Sequence, residues 1–431
     1  MSVEFLYCLG TLFLLAAIGA PIAYAIMIAS FVYLASVGQS IGIAGKTMMD
    51  GLYNSFILLA VPLFIVAANI MNAGSISDRL LNFCVALVGR FRGGLGHVNV
   101  VASLIFSGMS GSAVADAAGI GKIIIGMMTR SGHYTPGYAA AITAASATIG
   151  PIIPPSIPMV LYALVSNSSI GYLFLGGIVP GLLMGVVLMA MNAAISRRRG
   201  FGLEDPVPLS ELPGNFLNAF PALLMPAILL YGIYGGVTTP TEAAAVAAAY
   251  ALILAALFYR ALSLRALYGI LVESARSSAA VGIVIGGALI LNYIVASENI
   301  PAMMAQLLVG LDIPPLLFLL GVNVVLLLLG CLLDATTLIL VIIPLFLPAC
   351  RELGIDLVHF GVVAVVNCMI GLITPPYGIL LFVINGVTRI PLLDIIREIW
   401  PFLIVLILAL IAMILMPGIV LFLPRLMGYE G

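Results

Sequence analysis

Two stretches of the chain, Gly150-Pro151-Ile152-Ile153-Pro154-Pro155-Ser156 and Gly371-Leu372-Ile373-Thr374-Pro375-Pro376-Tyr377, lie 221 residues apart in strongly apolar surroundings. Proline lacks the amide that would bond the carbonyl four residues earlier, so neither stretch can run on as a regular helix. Pro154 and Pro155 are expected to free the carbonyls of Gly150 and Pro151, and Pro375 and Pro376 those of Gly371 and Leu372. In hydrocarbon those oxygens need another partner, and a desolvated cation is a natural one. The paired break therefore predicts two interrupted helices, each with a binding site.

The surroundings set the class. Of 431 residues 63% are hydrophobic and 8% charged, where a soluble domain has about a quarter charged; the mean hydropathy is +1.27. A span needs about 20 apolar residues. Such stretches are expected at about 5–20, 22–37, 55–73, 96–107, 137–166 with its break, 170–195, 216–235, 241–259, 279–297, 315–330, 357–387 with its break, and 399–423. That leaves room for about a dozen crossings plus shorter re-entrant pieces. The runs are continuous rather than alternating, so the elements are helices and not barrel strands.

Several classes fall away. A net charge of −1 without a large basic patch gives no footing for nucleic acid. Glu4 is present and no Lys or Arg precedes Lys46, so no cleavable leader is expected and the first apolar segment stays as a span. Cys8, Cys84, Cys331, Cys350 and Cys368 are scattered without CxxC spacing, which reads as apolar packing rather than a metal site or disulfide framework. His97, His133 and His359 are expected at interfaces or in loops. Arg197-Arg198-Arg199 begins the longest polar segment, running to Pro206, and reads as a cytoplasmic loop between two halves.

The duplication extends beyond the prolines. At the same separation of 221, Arg130 matches Arg351, Pro180 matches Pro401 and Tyr138 matches His359, while Asp116 and Asp334 differ by 218. Ile76 and Ile300 each open an amphipathic stretch, Ser77 to Arg92 and Pro301 to Leu311, suited to a helix lying at a membrane surface. The reading is an all-α polytopic membrane protein with two repeats, expected to be inverted. It divides the chain into 1–95 (scaffold helices and surface arm), 96–196 (first hairpin and broken helix), 197–311 (central loop, scaffold and second arm) and 312–431 (second hairpin, broken helix and last span).

Before each break comes a segment too polar or glycine-rich for an ordinary span. The first runs Phe106-Ser107-Gly108-Met109-Ser110-Gly111-Ser112-Ala113-Val114-Ala115-Asp116, and the second Gly330-Cys331-Leu332-Leu333-Asp334-Ala335-Thr336-Thr337. Each apolar arm is about half a span long, so a hairpin that enters and leaves on one side fits better than a crossing. Hydroxyls and freed carbonyls at a hairpin tip are hard oxygen donors suited to sodium, and helix N-termini at the breaks favour a carboxylate. Close packing of small residues is the competing reading of either cluster alone. Asp116 and Asp334 read as hairpin caps ahead of buried functional acids, and Lys122 as a side chain snorkelling to the interface ahead of one facing an anionic substrate. Gly108-Met109-Ser110-Gly111-Ser112 fails the G-x-S-x-G hydrolase pattern at its last position, so an enzyme is not expected.

Together with Thr239-Pro240-Thr241-Glu242-Ala243-Ala244-Ala245, these motifs resemble the large membrane subunit of TRAP (tripartite ATP-independent periplasmic) transporters over nearly the whole chain. The resemblance implies an elevator-type secondary transporter in the bacterial inner membrane. It implies uptake of a small organic anion, such as a dicarboxylate, sugar acid or sulfonate, driven by Na+ as coupling ion. Its implied partners are a separate small four-helix membrane subunit, a periplasmic substrate-binding protein and the lipid bilayer. It also implies two sodium sites: Ser107, Ser110, Gly150, Ile153 and Pro154 at the first break, and Gly330, Gly371, Thr374 and Tyr377 at the second. Ser112, Thr336 and Thr337 are the expected substrate contacts. Thr239 reads independently as a helix N-cap, with Pro240 at the first position and Glu242 in the first turn. A standalone ion-coupled divalent-anion symporter, or a scaffold subunit without its own transport path, remains the alternative.

Overall fold

The computed structural model describes residues 2–72, 75–202, 208–300, 303 and 313–431, and among them every regular element is helical. Among the described residues six helices are long and apolar enough to cross a bilayer alone, and Gly42–Asn54 with Phe56–Met71 would make a seventh, bent by 71°. This is fewer than the dozen expected. Breaks and hairpin turns divide the apolar runs into helices of 10–17 residues such as Gly94–Ser110 and Leu357–Gly371. A 15-residue helix rises only about 22 Å, short of the roughly 30 Å hydrocarbon core.

Val3–Ala17, Ile22–Ser36, Gly42–Asn54, Ala60–Met71, Leu212–Tyr234, Pro240–Ile253 and Leu264–Ser297 pack mainly on one another. Ala60–Met71 lies along Pro240–Ile253, and Leu264–Ser297 lies along Ile22–Ser36. The Pro240 helix starts with the expected cap. The Thr239 hydroxyl accepts from the Glu242 amide, and the Glu242 carboxylate accepts from the Thr239 amide at 2.7 Å. Leu264–Ser297 runs well beyond the span expected at 279–297, continuing through Glu273 and Arg276. Ser75–Val88 packs against Leu212–Tyr234 and Gly94–Ser110, and its Arg79 guanidinium stands 4.5 Å from the Tyr259 ring. The second amphipathic stretch, Pro301 to Leu311, lies outside the described residues apart from Met303.

The remaining helices form two sets in the same order. The first hairpin has an inbound arm, Gly94–Ser110, and an outbound arm, Ala113–Ser131, with one wide turn at Ala117–Gly121. The second has Pro315–Gly330 and an outbound arm, Ala335–Glu352, with its wide turn at Leu338–Ile342. The wide turns are 221 residues apart, as are the starts of the broken helices at Pro136 and Leu357. The first broken helix is Pro136–Ala147 plus Ile157–Ser166, and the second is Leu357–Gly371 plus Ile379–Thr388. Closing helices follow at Ile170–Arg199 and Leu392–Leu415, and the single span expected at 399–423 divides before Gly418–Leu426.

The two sets interlock. Leu392–Leu415 packs on the first broken helix, and Ile170–Arg199 packs on the second. Arg197, Arg198 and Arg199 belong to the last turn of the first closing helix, not to a loop, and Gly200 caps it at φ +68. Three cations there suit the negative end of the helix dipole. Leu203 to Pro206, the end of the expected polar segment, lies outside the described residues. His97 and His359 also depart from expectation, being buried in helices; His359 Nε2 is 2.9 Å from the Met413 carbonyl oxygen. All five cysteines are buried, and the described residues contain no metal-ligating cluster of His, Cys, Asp or Glu.

Candidate functional site

Each hairpin tip meets the break of its own half. In the first half the chain turns at Gly111, φ +58, and Ser112 caps the outbound arm by accepting from the Ala115 amide at 3.4 Å. The Gly111 backbone faces the Pro155 carbonyl oxygen, and a Cβ there would lie 3.6 Å from the Ile157 nitrogen. Ser156 caps Ile157–Ser166 by accepting from the Met159 amide at 3.2 Å. Two serine-capped helix starts thus lie side by side.

The proline breaks form as expected, and the Pro154-Pro155 and Pro375-Pro376 bonds are both cis. Their consequence for the freed carbonyls is narrower than expected. Ser156 Oγ donates to the Pro151 carbonyl. In the second half the Thr374 amide bonds the Gly371 carbonyl at 3.0 Å, and the Leu380 amide bonds that of Leu372 at 3.0 Å. Of the four, the Gly150 carbonyl alone has no hydrogen-bond partner among the described residues. The chain bends back at both breaks and supplies donors that a straight helix would not. Each recaptured carbonyl still has a second lone pair.

The first sodium group is largely brought together. Gly108 and Gly111 border the Pro154 and Pro155 carbonyls, and Ser107 and Ser110 sit buried on the same arm. Their hydroxyl protons are in use: Ser107 Oγ donates to the Leu104 carbonyl at 2.5 Å, and Ser110 Oγ donates to Asp116 Oδ1. The Ile153 side chain faces Gly181 of the closing helix, which leaves its main-chain oxygen as the candidate ligand.

In the second group Gly330 and Gly371 touch backbone to backbone. A Cβ on Gly371 would stand 2.8 Å from Gly330 Cα. The Gly378 amide bonds the Cys331 carbonyl at 3.3 Å, tying hairpin to break. Thr374 Oγ1 donates to the Ile370 carbonyl at 2.8 Å, one turn back. The Tyr377 ring is 57% exposed and stacks on Phe382, turned away from this cluster.

Of the expected substrate contacts, Ser112 lies at the first tip and Thr336 is half-buried at the second. Thr337 is committed locally: its hydroxyl donates to Asp334 Oδ1 at 2.5 Å and its amide to Oδ2 at 3.2 Å. Asp334 is thus the cap it was expected to be. Asp116 is not a cap, because Ser112 holds that position and the acid sits one turn further on. Its side chain is aimed at the break, with Oδ2 against Gly150. Lys122 is exposed on the outbound arm.

Sequence reasoning assigned no role to Asp116 at the break or to Ser156 as a cap. Ser156 carried a signal, a serine immediately before Ile157-Pro158. Asp116 carried none, because its direction depends on the hairpin's turn.

Comparison with known proteins gives the family. The profile of the family described as "Tripartite ATP-independent periplasmic transporter, DctM component" matches residues 9–419. The sialic acid TRAP transporter large permease protein SiaM of Vibrio cholerae is 41% identical over 95% of this chain and 96% of its own. The C4-dicarboxylate TRAP transporter large permease protein DctM of Pseudomonas aeruginosa is 40% identical over 86% and 87%. The 2,3-diketo-L-gulonate TRAP transporter large permease protein YiaN of Escherichia coli is 37% identical over 94% and 95%. In fold alone, the Alcanivorax borkumensis YdaH transporter superposes with a TM-score of 0.63 at 16% identity, covering 96% of this chain and 98% of that one.

Proposed function

The chain belongs to the DctM component family of tripartite ATP-independent periplasmic transporters, a multi-pass protein of the bacterial inner membrane, and from that premise we propose that it imports a small organic anion on a sodium gradient. It acts as a transport subunit and not as an enzyme. The observation that carries the reading is the meeting of each hairpin tip with its own broken helix. Oxygen-rich tips suit a cation, and the adjoining serine-capped helix starts at Ser112 and Ser156 suit a carboxylate or sulfonate.

Ser107, Ser110, Gly150, Ile153 and Pro154 would hold one sodium ion, and Gly330, Gly371, Thr374 and Tyr377 a second, chiefly through main-chain oxygens. Sodium bound there would supply positive charge beside the anion. Ser112, Thr336 and Thr337 would face the substrate, with Thr336 the freest of the two threonines. The relatives' named substrates are sialic acid, C4-dicarboxylates and diketogulonate, and the same class, a compact carboxylate, is proposed here. The two helix sets, matched at a separation of 221, would be inverted repeats that slide as one body against the scaffold helices. A small four-helix subunit and a periplasmic binding protein would complete the system.

The test is reconstitution with those two partners. Uptake of a panel of radiolabelled dicarboxylates and sugar acids is expected only with sodium higher outside. Uptake indifferent to sodium would overturn the coupling, and uptake without the binding protein would overturn the tripartite reading.

A further inference from the structure

The loop that joins the surface helix Ser75–Val88 to the first hairpin folds onto the last turns of Ile170–Arg199. The Asn192 side-chain amide donates to the Gly93 carbonyl, 99 residues away in sequence, at 3.1 Å. Gly93, at φ +73, and Gly96 press so closely on Ser196 and Asn192 that a Cβ on either would collide with those side chains. The fixed loop brings Arg90 and Arg92 to the same end of the molecule as Arg197 and Arg198. With Arg199 these make 5 of the 16 Lys and Arg residues of the chain, so positive charge is concentrated at this end rather than spread.

The protein itself leaves four of the five unanswered. The only ion pair among the described residues is Arg199 with Glu398, and Asp394, in the first turn of the same helix as Glu398, makes none. Arg92, Arg197 and Arg198 are exposed. Arg90 is half-buried; its Nε is buried without a hydrogen-bond partner, and its guanidinium stands 5.9 Å from the Phe91 ring. Holding a cation partly out of water with a donor unpaired is costly unless an anion answers it. Exposed rings accompany the charges. Phe91 is 53% exposed, and the sole tryptophan, Trp400, two residues past Glu398, is 49% exposed. Exposed aromatic rings at the level of arginines suit the headgroup layer of a membrane better than open water.

We propose that this end of the protein binds an anionic phospholipid, with Arg90, Arg92, Arg197 and Arg198 taking the headgroup phosphate and Phe91 lying against the acyl chains. Guanidinium forks match phosphate oxygens two at a time, and basic residues just cytoplasmic of a span attract anionic lipid. The positive-inside bias alone places arginines on that side without giving them a common ligand. Here two segments far apart in sequence converge on one locked loop. A headgroup there joins the end of the surface helix, the start of the first hairpin and the first closing helix, and its occupancy tightens that joint. The site draws on neither the sodium-coupled nor the tripartite reading.

The experiment uses the full chain, purified from membranes in detergent and depleted of lipid. Thermal stability is followed as phosphatidylglycerol is added, with phosphatidylethanolamine and inorganic phosphate as separate arms. Saturable stabilisation by phosphatidylglycerol is expected for the wild type. Arg92→Gln combined with Arg198→Gln is expected to raise the phosphatidylglycerol midpoint by about tenfold or more, and Arg90→Gln by about fivefold. Arg92 and Arg198 are exposed, so the double variant carries the test even where Arg90→Gln does not fold. Arg260→Gln combined with Arg265→Gln removes two arginines flanking another short loop and is expected to leave the midpoint within about twofold. Equal shifts from the two pairs would mean diffuse attraction and overturn the site. Absence of saturable stabilisation of the wild type, or equal stabilisation by phosphatidylethanolamine, would overturn it too. Equal stabilisation by inorganic phosphate at the same concentration would overturn the lipid as its ligand.

Discussion

The two hairpin-break junctions solve one problem with different chemistry. In the first, a buried carboxylate side chain, Asp116, reaches the break glycine, and serine side chains cap both helices that start there. In the second, two glycines meet backbone to backbone, the outbound arm is capped by an acid, Asp334, and the helix after the break starts at Gly378 with φ +51. An anionic substrate is better received at the neutral serine caps than beside Asp334, since like charge at a helix start cancels the favourable field. The comparison teaches that two helix sets in the same order can form unlike junctions. The first junction closes on a side-chain carboxylate set against the break glycine, and the second on backbone contact between two glycines.

That contrast is broken most directly at the glycines. Gly371→Ala would place a Cβ 2.8 Å from Gly330 Cα and 2.9 Å from its carbonyl carbon, where only backbone could yield. The expected cost is about 1–3 kcal/mol of stability with loss of sodium-driven uptake, read by thermal unfolding and by transport in vesicles. Gly150→Ala meets the end of the Asp116 side chain instead. A side chain can turn aside, so this variant should stay better folded while its sodium activation weakens. Equal damage to folding from the two substitutions would refute the distinction between a side-chain junction and a backbone junction.

The caps sharpen it next. Ser156 both donates to the Pro151 carbonyl and accepts from the Met159 amide. Ser156→Ala therefore uncaps one helix and orphans one carbonyl, at an expected cost of about 1–2 kcal/mol. The helix after the second break starts one register position later, from Gly378, and depends on that glycine's backbone freedom. Gly378→Ala should cost about 1–3 kcal/mol through strain at positive φ, and Gly378→Ser should do no better. A Gly378→Ser variant as stable as wild type would show that a serine cap serves either junction.

What was legible in the sequence follows the same line. The breaks could be read because a proline acts on its own backbone, and the Thr239 cap because its signal spans only four residues. The fate of the freed carbonyls could not, since the donors that recapture them come from Ser156, Thr374 and Leu380, placed by the reversal of the chain. Matching Asp116 to Asp334 misaligned the halves by three residues. The structural register is carried by the wide turns at Ala117–Gly121 and Leu338–Ile342, which leave no residue-type signature. By that register Asp116 stands opposite Thr337, and the difference between the junctions becomes visible. Hydropathy likewise stopped the Leu264 helix short, because Glu273 and Arg276 lower the mean without breaking the helix.

Thr374→Val is a finer probe, removing one hydroxyl while keeping shape. That hydroxyl donates to the Ile370 carbonyl at 2.8 Å, so its loss should cost about 0.5–1.5 kcal/mol of stability. If its oxygen also ligates sodium, the sodium concentration for half-maximal uptake should rise by about threefold or more. An unchanged activation curve would restrict Thr374 to its main-chain oxygen and make the second site wholly backbone-built.

The smallest effect is expected where the two sets of helices are joined by charge. Arg199 at the end of the first closing helix holds Glu398 of the second in a two-pronged pair at 2.8 and 2.7 Å, with the guanidinium 5.6 Å from the Tyr138 ring. The arginine side chain is 40% exposed, so solvent screens the pair, and it should contribute only about 0.2–1 kcal/mol. Glu398→Gln is accordingly expected to leave sodium activation unchanged and to lower thermal stability slightly, more at low salt than at high. The reason for the small value is that the halves are already held by burial, with Tyr138 meeting Phe201 edge-on and Phe402 at a tilt in the same seam. A large loss of uptake without loss of stability would mean that this bridge, rather than the apolar seam, makes the two unlike junctions move together.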